Sequence, residues 1–120
     1  MVIVNIGGEG EVPGAINVNS LIALRRPLRD IVRRGLLIQG DFARLPLREG
    51  CADEVVGNHI PLFGDLGAIV MREVFRVLRP NGNARVNASA GDGVVLLEPM
   101  RAAGFAGVTL AGLHALGRKP

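Results

Sequence analysis

The sequence predicts an α/β fold, a mainly parallel sheet closed at its C-terminal end by an antiparallel hairpin. Three observations predict it. Short apolar, β-branched runs alternate with helical stretches along the chain. The stretch from Leu66 to Leu78 carries a 3.6-residue apolar period. The tail from Phe105 to Gly117 holds two short apolar runs split by Ala111-Gly112, which read as a terminal hairpin.

Each element follows from local chemistry. Met1 to Ile6 is a short apolar run stopped by glycines, hence a buried strand. Ala15-Ile16-Asn17-Val18-Asn19 is a second run, separated from the first by only Gly7 to Gly14, which contains four glycines and Pro13. Parallel neighbours ordinarily need a crossover of about a dozen residues, and this linker cannot form a helix of useful length. Either the two runs are not adjacent parallel strands, or the linker crosses the gap in extended form. A helix is expected from Pro27, a good first-turn residue, to Arg34, with Gly35 as a left-handed stop. Leu36 to Gln39 is the third strand, Ala43 to Asp53 a loop, and Glu54 to Asn58 the fourth strand, leading into His59 to Phe63.

Asp65 is the expected N-cap of the clearest helix, whose apolar face is Leu66, Ile69, Val70, Val74, Val77 and Leu78, and Pro80-Asn81-Gly82 is expected to end it. Asn83 to Ser89 alternates as a fifth strand, Ala90-Gly91-Asp92-Gly93 turns, and Val94 to Ala103 forms a last helix stopped by Gly104.

Composition narrows the functional classes. A chain of 120 residues supports one core and one domain, spanning residues 1–120. Its 48% hydrophobic and 21% charged residues are ordinary for a globular protein, and no stretch reaches the roughly eighteen apolar residues of a membrane span. The N-terminus lacks a basic region before its apolar run, so it does not read as a signal peptide, and a cytoplasmic protein is expected. The lone Cys51 forms no internal disulfide and has no metal-ligand spacing around it; no metal site is expected. The net charge is +3, thirteen of the fourteen cationic residues are Arg, and there are four Phe but no Tyr or Trp to stack on bases. Basicity alone therefore does not argue for nucleic acid. Arg25, Arg26, Arg29, Arg33 and Arg34 read as a solvated helix face.

Two long phrases and one short one carry a resemblance. Arg72-Glu73-Val74-Phe75-Arg76-Val77-Leu78-Arg79-Pro80-Asn81-Gly82 resembles the E-x-x-R-V-L-[KR]-P-G-G segment of class I S-adenosylmethionine-dependent methyltransferases. Gly40-Asp41-Phe42 through Leu45-Pro46-Leu47 to Asp53-Glu54-Val55-Val56 resembles that family's G-D-a-x-x-L-P segment, and Ala103-Gly104-Phe105 its terminal A-G-F. The matches run in the family's order from about residue 36 onward. They imply a Rossmann-like methyltransferase sheet.

The resemblance also implies a site. Gly7, Gly8 and Gly10 would lie under the amino-acid end of S-adenosylmethionine, with Glu9 beside them. Asn19 would stand at the ribose, and Asp41 and Phe42 at the adenine. Asn58 would border both cofactor and methyl acceptor. Asn58 and His59 are the catalytic candidates, since an imidazole can take a proton from an O- or N-nucleophile; His114 reads as structural. Asn5 and Asn19 stand where the family has acids, and the helices before the first strand and between the first two strands are absent. A catalytically inactive binding domain is therefore the alternative to a minimal methyltransferase. The wording of residues 7–19 is similar to methyltransferase-like modules of bacterial polymorphic toxins, a third reading. The missing helices imply an undercovered sheet face near the first two strands, hence a homodimer or partner chain. The short loops imply a macromolecular acceptor or a site completed by a second subunit.

Overall fold

The computed structural model describes residues 1–22, 24–62, 65–89 and 92–120. The expectations placed on Phe63 and on the Ala90-Gly91 half of the turn lie outside the described residues. One seven-stranded sheet organises the chain, in the order β3-β2-β1-β4-β5-β7-β6. Strands β1 (Ile3–Ile6), β2 (Ile16–Asn19), β3 (Leu37–Gln39), β4 (Ala52–Ile60) and β5 (Leu78–Ala88) are parallel, while β6 (Ala106–Ala111) and β7 (His114–Arg118) form the expected antiparallel end. The strand order reverses between β1 and β4, which opens a crevice at their carboxyl ends.

β1 and β2 are adjacent and parallel, Asn5 pairing with Asn17, and the linker between them crosses without a helix. The sheet face beside β1 and β2 is nevertheless closed, which corrects the expectation of an undercovered face. The glycine turn folds back over it: Asn5 and Asn17 are 0% exposed, and Gly8 is buried against both. Polar side chains serve here because the cover is backbone, whose N–H and C=O groups need partners that an apolar face cannot give.

Helix α1 (Leu28–Arg34) begins after Pro27, as expected, but Gly35 is extended (φ 166°) rather than left-handed, so the chain passes straight into β3. Helix α2 (Leu66–Val77) buries Gly67, Val70, Met71, Val74 and Val77, so the expected stripe holds at Val70, Val74 and Val77, with Met71 buried in place of Ile69. Met71 is 0% exposed, whereas Ile69 is 37% exposed. Asp65 occupies the N-cap position without a side-chain capping bond.

The helix also does not end at Pro80-Asn81-Gly82. Leu78 already belongs to β5, where it pairs with Ala52 of β4, and the next pair is Asn83 with Glu54, so Arg79 to Gly82 bulge out of the strand. The C-terminal tail stitches that bulge: Asn81 N–H donates to Lys119 O (2.7 Å) and Lys119 N–H to Gly82 O (2.9 Å). Lys119 Nζ caps α2 through Phe75 O (2.9 Å) and Leu78 O (2.8 Å), lying 4.7 Å above the Phe75 ring. The last helix, α3 (Leu97–Ala103), follows a 3₁₀ turn at Val94–Leu96 and ends at left-handed Gly104, as expected.

The two long phrases meet in space. Glu73 accepts from Leu45 N–H (2.9 Å) and from Arg76, whose guanidinium donates to Leu45 O (3.1 Å) and Leu47 O (3.0 Å). The Glu-x-x-Arg pair thus clamps the Leu-Pro-Leu loop onto α2. The Arg76 hydrogen bond holds the Glu73 carboxyl below its usual range against the opposing effect of burial.

Candidate functional site

A cavity of about 570 Å³ opens at the carboxyl ends of β1, β2 and β4. Its walls include Gly7, Glu9, Asn19, Arg26, Phe42, Asn58 and His59. The volume lies within the range of small-molecule sites, at the position where open parallel sheets bind ligands.

The glycine turn forms one wall. Gly7 leaves β1 in the left-handed region (φ 71°), and a Cβ there would stand 3.7 Å from Phe42 Cζ, on the cavity side. Gly8 and Gly10 line no part of the cavity; they serve the turn's own packing. A Cβ on Gly8 would overlap Asn17 Oδ1 and stand 2.7 Å from Asn5 Nδ2, and one on Gly10 would run into the Arg34 stem. Both glutamates are engaged. Glu9 Oε1 accepts from the backbone N–H of Arg25 (2.9 Å) and Arg26 (2.8 Å), holding both residues at the cavity wall. Glu11 accepts from Asn5 Nδ2 (2.6 Å) and from Glu9 N–H (2.8 Å). The Asn5 contact accounts for an amide where the resemblance expects an acid: an aspartate would press a second carboxylate against Glu11. Asn5 Oδ1 has no partner among the described residues.

Asn19, at the end of β2, lines the cavity, but its amide is also tied inward, donating to Gly8 O (3.2 Å) and accepting from Leu21 N–H (2.9 Å). Phe42 presents its ring to the cavity, whereas Asp41 is exposed outside it and accepts from Ala43 N–H (2.9 Å) in a local turn.

The opposite wall depends on a bulge. Gly57 pairs with Val86 and Ile60 with Ala88, so β4 carries one extra residue there, and Asn58 and His59 are displaced toward the cavity mouth. His59 sits at φ 54°, with its N–H held by Asn87 Oδ1 (2.6 Å). Buried Asn87 thus pins the bulge. His114 Nε2 lies 2.7 Å from Asn58 Oδ1, which brings a residue read as structural to the edge of the site. Burial first, then the charges of Arg85 and His59, lower the His114 pKa.

Sequence reasoning did not single out Asn17, Asn87, Arg25 and Arg26 as site-building residues. A signal existed only for Asn17, a polar residue inside a β-branched run. Among the described residues no group of His, Cys, Asp and Glu is arranged to hold a metal ion, and no helix is long and apolar enough to cross a membrane.

This sheet order, with its antiparallel end and its cavity at the strand reversal, is the class I methyltransferase-like fold, and solved structures agree. A SAM-dependent methyltransferase from Thermotoga maritima superposes with TM-score 0.74 at 16% identity, over 98% of this chain and 82% of that one. The Burkholderia thailandensis 1,6-didemethyltoxoflavin-N1-methyltransferase, solved with bound S-adenosylhomocysteine, gives 0.71 at 18% identity, over 98% of this chain and 70% of that one. A chain from the complex of the Haloferax volcanii Trm112 methyltransferase activator with a methyltransferase gives 0.73 at 13% identity, over 99% and 82%. At these identities the likeness is one of fold. The sequence matches no protein-family model and no curated protein.

Proposed function

We propose that the cavity binds S-adenosylmethionine and that the protein is a methyltransferase of minimal size. The observation that carries the reading is the cavity itself: a left-handed glycine, an aromatic ring and a polar strand end converge on one space of about 570 Å³ at the strand reversal. The residues fit the cofactor in part. Gly7 would leave backbone open to the amino-acid end, Phe42 would offer a face to the adenine, and Asn19 lines the cavity at the end of β2, where the resemblance puts the ribose. Asn19 is itself uncharged, so hydroxyl recognition by its side chain lacks the charge assistance a carboxylate would give. Bound S-adenosylmethionine would supply an electrophilic methyl group. The chain's own residues would hold and orient: Asn58 and His59 border the acceptor side, and alignment of the acceptor with the methyl carbon supplies much of the rate without a strong base. The wording of residues 7–19 supports a narrower proposal, that the domain serves as an effector module of the toxin kind.

Calorimetric titration with S-adenosylmethionine and S-adenosylhomocysteine tests the reading. Binding is expected in the wild type and should weaken at least severalfold in Phe42→Ala. Asp41→Ala separates an adenine contact from a turn role, since only a contact residue changes affinity while stability holds. No binding by the wild type would overturn the proposal. Binding without methyl transfer to any acceptor would leave the inactive binding domain.

A further inference from the structure

His114 stands apart from the cavity lining, yet it is the described residue that holds the Asn58 side chain. It opens β7, and its ring reaches across β5 to place Nε2 2.7 Å from Asn58 Oδ1, joining two strands that are not neighbours. Its backbone is fixed twice. Ala115 pairs with Val86 of β5, and Gly93 packs so closely on the hairpin that a Cβ there would stand 2.7 Å from the His114 carbonyl carbon. Asn58, by contrast, sits on a bulge, where the sheet ladder does not define it.

A carboxamide has a donor end and an acceptor end of nearly the same shape, so its orientation follows from its partners. The carbonyl faces the ring, Nε2 therefore carries the proton, and the amide NH₂ is the end left for the cavity. We propose that His114 is a positioning residue: it turns Asn58 so that Asn58 presents a hydrogen-bond donor to an acceptor atom of the bound nucleoside cofactor. The neutral ring suits this task, because a single Nε2 proton suffices. The groups that act on the ring are Arg85 from β5 and His59 from β4, both opposing its protonation together with burial. Asp92, in the turn packed on β7, commits Oδ1 to Val94 N–H (2.8 Å).

The ligand part of this inference rests on the cofactor reading; the positioning part does not. Nitrogen-detected NMR of the free protein is expected to show the Nε2–H tautomer for His114 and a titration midpoint below that of a free histidine. In Asn58→Leu that tautomer preference should relax. An Nδ1–H ring, or a ring indifferent to Asn58→Leu, would overturn the positioning role whether or not any cofactor binds. S-adenosylhomocysteine is the probe for the second arm. His114→Phe should weaken its binding roughly three- to tenfold, the worth of one hydrogen bond. Asn58→Leu should do the same, and the double variant no more than either. His114→Gln, which keeps a donor and the fold, should restore most of the affinity. If wild type binds but Asn58→Leu or His114→Phe binds equally well, Asn58 is not oriented for the cofactor. If wild type does not bind, the cofactor reading fails while the NMR result still decides the positioning.

Discussion

Replacing Gly8 by alanine adds one methyl group, and the structure gives it nowhere to go. The new Cβ would overlap Asn17 Oδ1 and stand 2.7 Å from Asn5 Nδ2 and 2.8 Å from Asn5 Cγ. Gly8 does not lie in the left-handed region, so the cost is steric rather than conformational. Neither asparagine can yield freely: both are 0% exposed, Asn17 accepts from Gly10 N–H (3.1 Å) and donates to Leu36 O (3.1 Å), and Asn5 donates to Glu11 (2.6 Å). Overpacking costs about 1–3 kcal/mol and stranding one buried polar partner about 1–3 more, so Gly8→Ala should lose about 2–6 kcal/mol. Gly14 is the control. It has φ 76° and nothing within 4 Å of its Cβ position, so Gly14→Ala should lose only about 1 kcal/mol of backbone strain. Urea unfolding followed by circular dichroism measures both. A Gly8→Ala protein within 0.5 kcal/mol of wild type (about the scatter of surface substitutions) would refute the claim that the glycine turn is the cover of this sheet face.

Further outcomes follow from the same network and its neighbours. Asn5→Asp, which restores the acid of the resembling family, should destabilise by about 2–4 kcal/mol at pH 7, because a buried carboxylate meets Glu11; the loss should shrink in Asn5→Asp/Glu11→Gln. Glu73→Gln should release the loop at Leu45 and Leu47, read as faster amide exchange there. Glu73 has a depressed pKa when folded, so its stabilisation is present above the usual carboxyl range and is lost as pH falls through the folded value; Glu73→Gln should therefore show a shallower acid loss. His114 is also harder to protonate when folded, so the unfolded chain binds more protons below pH about 6.5 and stability declines as pH drops from there. Unfolding free energies measured across pH 5–8 should lose that component in His114→Gln.

The local pattern made much of the architecture legible. Apolar runs bounded by glycine located the strands, and Gly104, at φ 109°, is the left-handed helix stop its position implied. The stripe on α2 was legible at Val70, Val74 and Val77 but not at Ile69, because Met71 and Ile69 are both apolar and only the packing around the helix decides which is buried. Pro80-Asn81-Gly82 looked like a helix terminator, yet it is a bulge within β5, held by Lys119 from far along the chain. Such a partner leaves no local trace. Glu9 and Glu11 are parallel cases: as sequence they are two like charges in a short loop, and in space each already accepts two protein donors.

By itself the sequence determined the fold class, the order of elements and the two phrases from β3 to β5, because these depend on side-chain period, turn residues and covalent order. Tertiary structure decided how β1 and β2 can be parallel neighbours with no helix between them. The answer is a glycine turn seated on buried Asn5 and Asn17, a packing of backbone on side chain that no periodicity encodes. It likewise decided which residues face the cavity. Gly7 and Phe42 do, Gly8, Gly10 and Asp41 do not, and the bulge in β4 brings Asn58 to His114 across an intervening strand. Those choices rest on contacts between residues as many as 56 positions apart, which form only when the sheet is assembled.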